Sequence, residues 1–172
     1  MAQAGSFEKP VRAILHAMTK DPGVRLATED DAGAIARLLR EFNSSYEEET
    51  PPHEDLLRRI PEHISSRTSY FLLVGEGPDG FAHVTIQPSL YSDDGEAYLF
   101  ELYVVPAKRR RGLGRALLDT AMEEARARGF DHMSLTTSMG DGEARALYES
   151  SGFTNKEGGP DGPLMLYYER DL

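Results

Sequence analysis

Residues 108–115 read Lys-Arg-Arg-Arg-Gly-Leu-Gly-Arg and follow the apolar run 102–105, which ends at Pro106. Behind them Leu113, Leu117, Leu118, Ala121, Met122 and Ala125 recur at helical spacing, so the basic cluster stands where a helix begins. The first N–H groups of a helix have no internal partner, and the helix dipole adds partial positive charge at that end. Gly112 and Gly114 let a ligand come close to the backbone, while Arg109, Arg110, Arg111 and Arg115 add whole charges. This is the chemistry of a site for a phosphorylated ligand. It is not a dinucleotide fingerprint, because a third glycine is missing and "PAKRRR" separates Gly112 from the strand. The P-loop pattern Gly-x4-Gly-Lys-Ser/Thr is absent.

The basic cluster is local. The chain as a whole carries a formal net charge of −10, which argues against general nucleic-acid binding through phosphate neutralisation. There is no cysteine, so disulfides, thiolate metal sites and cysteine nucleophiles are excluded. His16, His53, His63 and His132 show no metal-ligand spacing, and no metal is expected. No apolar run approaches the ~20 residues that would span a bilayer. The N-terminal residues have no signal-peptide pattern, and a cytoplasmic location is the default expectation.

The segment Arg109-Arg110-Arg111-Gly112-Leu113-Gly114 fits Gln/Arg-x-x-Gly-x-Gly/Ala and resembles the coenzyme A motif of the GCN5-related N-acetyltransferase (GNAT) superfamily. A second segment, "DGEARALYESSGF" at 141–153, is similar to that family's Asn-x-x-Ala-x-x-Leu-Tyr-x-x-x-Gly-Phe, with Ala144, Leu147, Tyr148, Gly152 and Phe153 matching. The resemblance implies acetyl-CoA as co-substrate and acetyl transfer to a primary amine; the acids at Glu47, Glu48, Glu49 and Glu101 point to a small cationic one. A peptide or protein N-acetyltransferase and a non-catalytic acyl-CoA sensor are the alternatives. It further implies that the backbone of Leu102, Tyr103 and Val104 meets pantetheine, that N–H groups from Arg110 to Arg115 meet phosphates, and that Tyr148 is the general acid. A phenol with pKa near ~10 can hand a proton to a thiolate of comparable basicity.

One departure matters. Asp141 stands where the family usually has Asn, whose amide contacts pantetheine, and a carboxylate cannot donate unless protonated. The contact is then lost, re-made through water, or made by a neighbour such as Ser138. Related sequences often read Leu-Glu-Asp where this chain has Leu99-Phe100-Glu101. Glu101 is the candidate base, with His83 and Glu96 as weaker options. The loop carrying Tyr46, Glu47, Glu48 and Glu49 is expected to border the acceptor, with His83 counted among the acceptor-side residues. The expected partner is a small-molecule amine, with no nucleic acid and no membrane; a homodimer is left open.

These residues need a scaffold. The pattern predicts a strand over 24–28, a helix from 29 to about 43, and a helix from about 53 that breaks or kinks at Pro61. A hairpin follows over 69–87, then a long strand over 96–105 and a helix over 112–128. A strand over 131–137, a helix over 141–151 and strands over 153–155 and 164–170 complete the order. The expected fold is α/β: one GNAT-like domain over 23–172, after a helical extension over 1–22. Its central mixed, mostly antiparallel sheet is flanked by helices, and two central strands splay to admit acetyl-CoA.

Overall fold

Strand β2 (Ser69–Val74) is buried at all six positions, so both of its faces must be covered. They are covered by different helices. Tyr70, Leu72 and Val74 point into a core shared with α3 (Leu113–Ala127), through Leu117, Leu118, Ala121 and Ala125. Phe71 and Leu73 point the other way, onto α1 (Ala32–Ser45) and α2 (His53–Ser65), through Ile35, Leu38, Leu56 and Ile60. The period-2 alternation of a strand thus divides the protein into two apolar layers around one sheet. The computed structural model describes residues 23–66, 68–90 and 95–171; the helix expected within 1–22 lies outside them.

The sheet has the order β1-β2-β3-β4-β5, with β1 at Arg25–Leu26, β3 at Gly80–Gln87, β4 at Glu96–Val104 and β5 at Met133–Leu135. All pairs are antiparallel except β4 with β5, which is parallel. A parallel pair needs a crossover, and α3 supplies it. Helix α4 (Gly142–Ser150) follows β5. The mixed, mostly antiparallel sheet with helices on both faces is the architecture expected from the sequence.

Two local devices hold the helices in place. Before α1, the Thr28 N–H donates to Asp31 Oδ2 at 2.8 Å, and Arg25 forms two 2.7 Å hydrogen bonds with the Asp31 carboxylate. The Arg25 guanidinium holds that carboxyl well below the usual carboxylate range. On the opposite face the Tyr70 hydroxyl donates to the Ala121 carbonyl at 2.8 Å, and Arg128 lies 4.5 Å over the Tyr70 ring. Among the described residues no helix is long and apolar enough to cross a membrane.

Two expectations are corrected. Helix α2 does not break at Pro61, one of the two outcomes expected there, but continues to Ser65. Proline removes one ladder bond, yet Ile60 and Ile64 lie on both sides of it and pack on the same core, which favours keeping the turn. The strands expected over 153–155 and 164–170 do not form; only an isolated bridge joins Lys156 to Leu164. Alternation in this tail is a local property, whereas a strand needs an edge to pair with. Leu164, Met165, Leu166, Tyr167 and Tyr168 are all exposed.

Leu117 is fully buried between α3 and the sheet. Leu117→Ala is expected to cost about 2–5 kcal/mol in unfolding free energy, measured by chemical denaturation. A change near zero would mean that α3 does not hold the sheet in this way.

Candidate active site

Strand β4 is paired to β3 at every residue but Phe100, and to β5 only at Ala97, Tyr98 and Leu99. From Phe100 to Val104 its far edge has no β5 partner. A cavity of about 620 Å³ opens there, bounded by Leu102, Tyr103 and Val104, by the start of α3 and by the inner side of α4. This is the separation of strands that the sequence reading expected.

The turn into α3 is built from two left-handed residues, Arg110 at φ 63° and Gly112 at φ 81°. For glycine that conformation is cheap; for arginine it costs on the order of 1–2 kcal/mol. The first hydrogen bond of the helix runs from Ala116 N–H to the Gly112 carbonyl at 2.9 Å. The N–H groups of Leu113, Gly114 and Arg115 therefore precede the helical ladder, and all three residues line the cavity. Space around Gly112 is open, so a side chain there would project into it.

The basic residues divide their tasks. Arg109 donates from Nε to the Val104 carbonyl at 2.9 Å and lies 5.8 Å over the Tyr103 ring. Arg115 donates to the hydroxyls of Ser150 and Ser151 on the α4 side. Arg110 reaches across the cavity mouth to Glu143, 2.8 Å away, both being exposed. Lys108 is 3.2 Å from Asp79. Arg111 is exposed and does not line the cavity. Arg109, Arg110, Gly112, Leu113, Gly114 and Arg115 do line it.

At the other end Asp141 caps α4, its Oδ1 accepting from Ala144 N–H at 2.9 Å. A carboxylate serves as a helix cap as well as an amide does. Its Oδ2 accepts a hydrogen bond from the Tyr46 hydroxyl at 3.1 Å, so the loop after α1 is tied to α4 across the cavity. Ser138, the alternative pantetheine contact, instead accepts from Gly140 N–H at 3.1 Å. Tyr148 lines the cavity beside Asp141 and contacts Phe153 edge-on at 6.0 Å. Burial pushes the Tyr148 phenol up to about 12, and the nearby Asp141 charge and Tyr46 add to that. Burial and the Asp141 charge also raise Tyr46.

The remaining candidates lie elsewhere. Glu47, Glu48 and Glu49 are exposed on the loop after α1 and do not line the cavity, although their neighbour Tyr46 does. Glu101 and His83 face the α1–α2 side of the sheet and meet each other, His83 Nδ1 to Glu101 Oε2 at 2.6 Å. Glu96 accepts instead from the Ser89 hydroxyl at 2.8 Å. Sequence reading missed Phe42, Glu143, Ala146 and Ser150, which also line the cavity. Phe42 shows in sequence only as part of an apolar helical stripe, and Glu143 as one acid within a matched motif.

The profile described as Acetyltransferase (GNAT) family matches residues 34–153. Mycothiol acetyltransferase from Beutenbergia cavernae is 37% identical over 123 residues, covering 70% of this chain and 40% of that protein. Aminoglycoside N(6')-acetyltransferase type 1 from Klebsiella aerogenes is 34% identical over 90 residues, covering 48% of this chain and 59% of that protein. The chain spans about half the length of the two mycothiol acetyltransferases it matches, 40% of one and 52% of the other. Among solved structures, a candidate acetyltransferase from Arthrobacter sp. FB24 superposes with a TM-score of 0.82 at 35% identity, covering 91% of this chain and 99% of that one.

The raised Tyr148 phenol has a consequence for stability. A folded pKa above the ordinary tyrosine value of 10.0 means stability that is present below pH 10 and is lost as pH rises towards about 12. Circular dichroism against pH should show this loss, and Tyr148→Phe should reduce it. An identical alkaline profile for the variant would show that the phenolate is tolerated where it stands.

Proposed function

We propose that this chain, which belongs to the acetyltransferase (GNAT) family, moves the acetyl group of acetyl-CoA onto the nitrogen of a small cationic amine. The observation that carries this reading is the cavity itself. It joins an unpaired strand edge at Leu102–Val104, a helix start with three N–H groups outside the ladder, and a protonated tyrosine at its far wall. The strand edge presents donors and acceptors spaced as an added strand would meet them, which suits the amides of a pantetheine arm. The N–H groups of Leu113, Gly114 and Arg115, with Arg110 beside them, suit a pyrophosphate. Acetyl-CoA would bring an activated thioester; the protein's residues must then orient it, exclude water and manage two protons.

Tyr148 manages one of them. Its phenol stays protonated across the neutral range, so it is poised to donate where negative charge gathers on the departing sulfur. The other proton must leave the amine, since an alkylammonium has no lone pair with which to attack. Glu101 is the group proposed to take it. Glu101 does not itself line the cavity, but Tyr103, two residues on along the same face, does, so the carboxylate stands beside the channel rather than in it. The preference for a cation rests on the acids around the acceptor side, Asp141 and Glu101 with the exposed Glu47, Glu48 and Glu49, in a chain of net charge −10. The relative named as an aminoglycoside N-acetyltransferase is consistent with a small-molecule amine.

A thiol-release assay with acetyl-CoA against a panel of amines tests the reading. Tyr148→Phe should lower kcat by roughly 10²–10⁴-fold while leaving acetyl-CoA affinity unchanged, because the hydroxyl acts when charge develops on sulfur. Turnover equal to wild type would leave Tyr148 a packing residue. Gly112→Val is strained at φ 81° but has open space around it, so the variant, once circular dichroism shows it folded, should lose acetyl-CoA binding in titration calorimetry. Unchanged affinity in that variant would sink the phosphate assignment. Tight acetyl-CoA binding by the wild type without thiol release to any amine would favour an acyl-CoA sensor instead.

A further inference from the structure

Strands β3 and β4 pair residue for residue from Gln87–Glu96 to Val84–Leu99, and again from His83–Glu101 to Gly80–Val104. Phe100 falls between the two registers and has no partner, so the strand bulges there. In a regular strand, neighbouring side chains point to opposite faces. Here two consecutive side chains meet the same imidazole. Glu101 Oε2 is 2.6 Å from His83 Nδ1, and the Phe100 ring centroid lies 5.7 Å from that of His83. The bulge has turned an aromatic ring and a carboxylate onto one face. Phe100 is 60% exposed, and its ring also contacts Tyr98 edge-on at 6.0 Å.

His83 is itself fixed from behind. Its ring stacks on Phe71 with centroids 4.1 Å apart and planes 6° from parallel, while His63 from α2 stands edge-on at 6.1 Å. Among the described residues, His83 Nε2 is buried without a hydrogen-bond partner. A proton on Nδ1, donated to Glu101, leaves Nε2 as a bare lone pair, which is cheaper to bury than an unpartnered N–H. The ring therefore holds Glu101 by Oε2 and leaves Oε1 for another partner.

We infer that the bulge builds the acceptor subsite, in which Phe100 and Glu101 grip the ammonium end of an amine carried on an apolar or aromatic stem, and His83 acts as the positioning residue of Glu101. A carboxylate beside an open aromatic face is a recognition pair for a cation with an organic stem. The subsite adjoins the cavity at Tyr103, which lies two residues on along the same face as Glu101 and lines the cavity, so an amine held here stands beside the strand edge proposed to take pantetheine. This inference rests on the acetyl-transfer reading above.

The test compares Phe100→Ala, His83→Phe and His83→Gln in the thiol-release assay, with acetyl-CoA affinity measured by calorimetry in parallel. Phe100→Ala should raise KM for an arylalkylamine such as phenethylamine by roughly two- to fivefold, the size of an exposed cation–aromatic contact, with kcat little changed. His83→Phe keeps the stack on Phe71 but loses the donor to Glu101, and kcat should fall about tenfold or more. His83→Gln restores a donor and should recover most of that loss, which a purely structural role for His83 would not produce. Acetyl-CoA affinity should be unchanged in all three. Normal acetyl-CoA binding with amine KM and kcat at wild-type values in both Phe100→Ala and His83→Phe would overturn the subsite while sparing acetyl transfer. Failure of the wild type to bind acetyl-CoA or release thiol would overturn both.

Discussion

The structure depends on β4 being paired on one side at every residue but Phe100 and on the other side for only three residues. A strand with one satisfied edge is rigid enough to define a surface, and its second edge remains a row of backbone donors and acceptors seeking partners. The parallel pairing of β5 enforces the rest. Because β5 runs alongside the first half of β4, the chain must return over the sheet from the end of β4 to its beginning, and α3 makes that return. The start of α3 is thereby fixed next to the unpaired edge. The cavity follows from this crossover, before any side chain is considered.

Charge at the helix start is distributed rather than pooled. Arg109 and Arg115 are committed to the frame, to the Val104 carbonyl and to the serines of α4. Arg110 accepts a strained backbone and faces Glu143 across the mouth. An exposed ion pair of that kind is worth no more than about 1 kcal/mol, so it would yield to the phosphate proposed to bind here. The fixed donors are the backbone N–H groups, which need no reorganisation when an anion arrives. Asp141 follows the same logic on the other wall. One oxygen caps α4 and the other ties down Tyr46, while its charge adds to the burial that keeps Tyr148 protonated.

The two sides of the sheet serve different ends. The α3 side is a continuous, mainly aliphatic core, with Tyr70 and Phe130 among its buried members, that holds the crossover helix. The α1–α2 side is richer in rings, with Phe71, Phe81 and Tyr103 buried and His83 stacked among them. A polar pair such as His83 and Glu101 survives there because each satisfies the other, and because the aromatic stack fixes the imidazole's orientation.

Features that repeat along the chain were legible in the sequence alone. The alternation in 69–74, the helical stripe in 113–125, the glycines at 112 and 114 and the matched segment around Tyr148 each depend on neighbours a few residues away. They suffice for the fold, for the helix start and for the family. Features that depend on register did not show. A one-residue bulge at Phe100 decides which face Glu101 occupies and brings it to His83, eighteen positions away in sequence. The bond between Tyr46 and Asp141 spans ninety-five positions and exists only because α1 and α4 close on the same cavity. Pro61 within α2 and the tail after Pro163, which forms only an isolated bridge, mark the same boundary. Local pattern states what a segment prefers; whether a core keeps a helix past a proline, or an edge accepts a last strand, is settled by what packs against it.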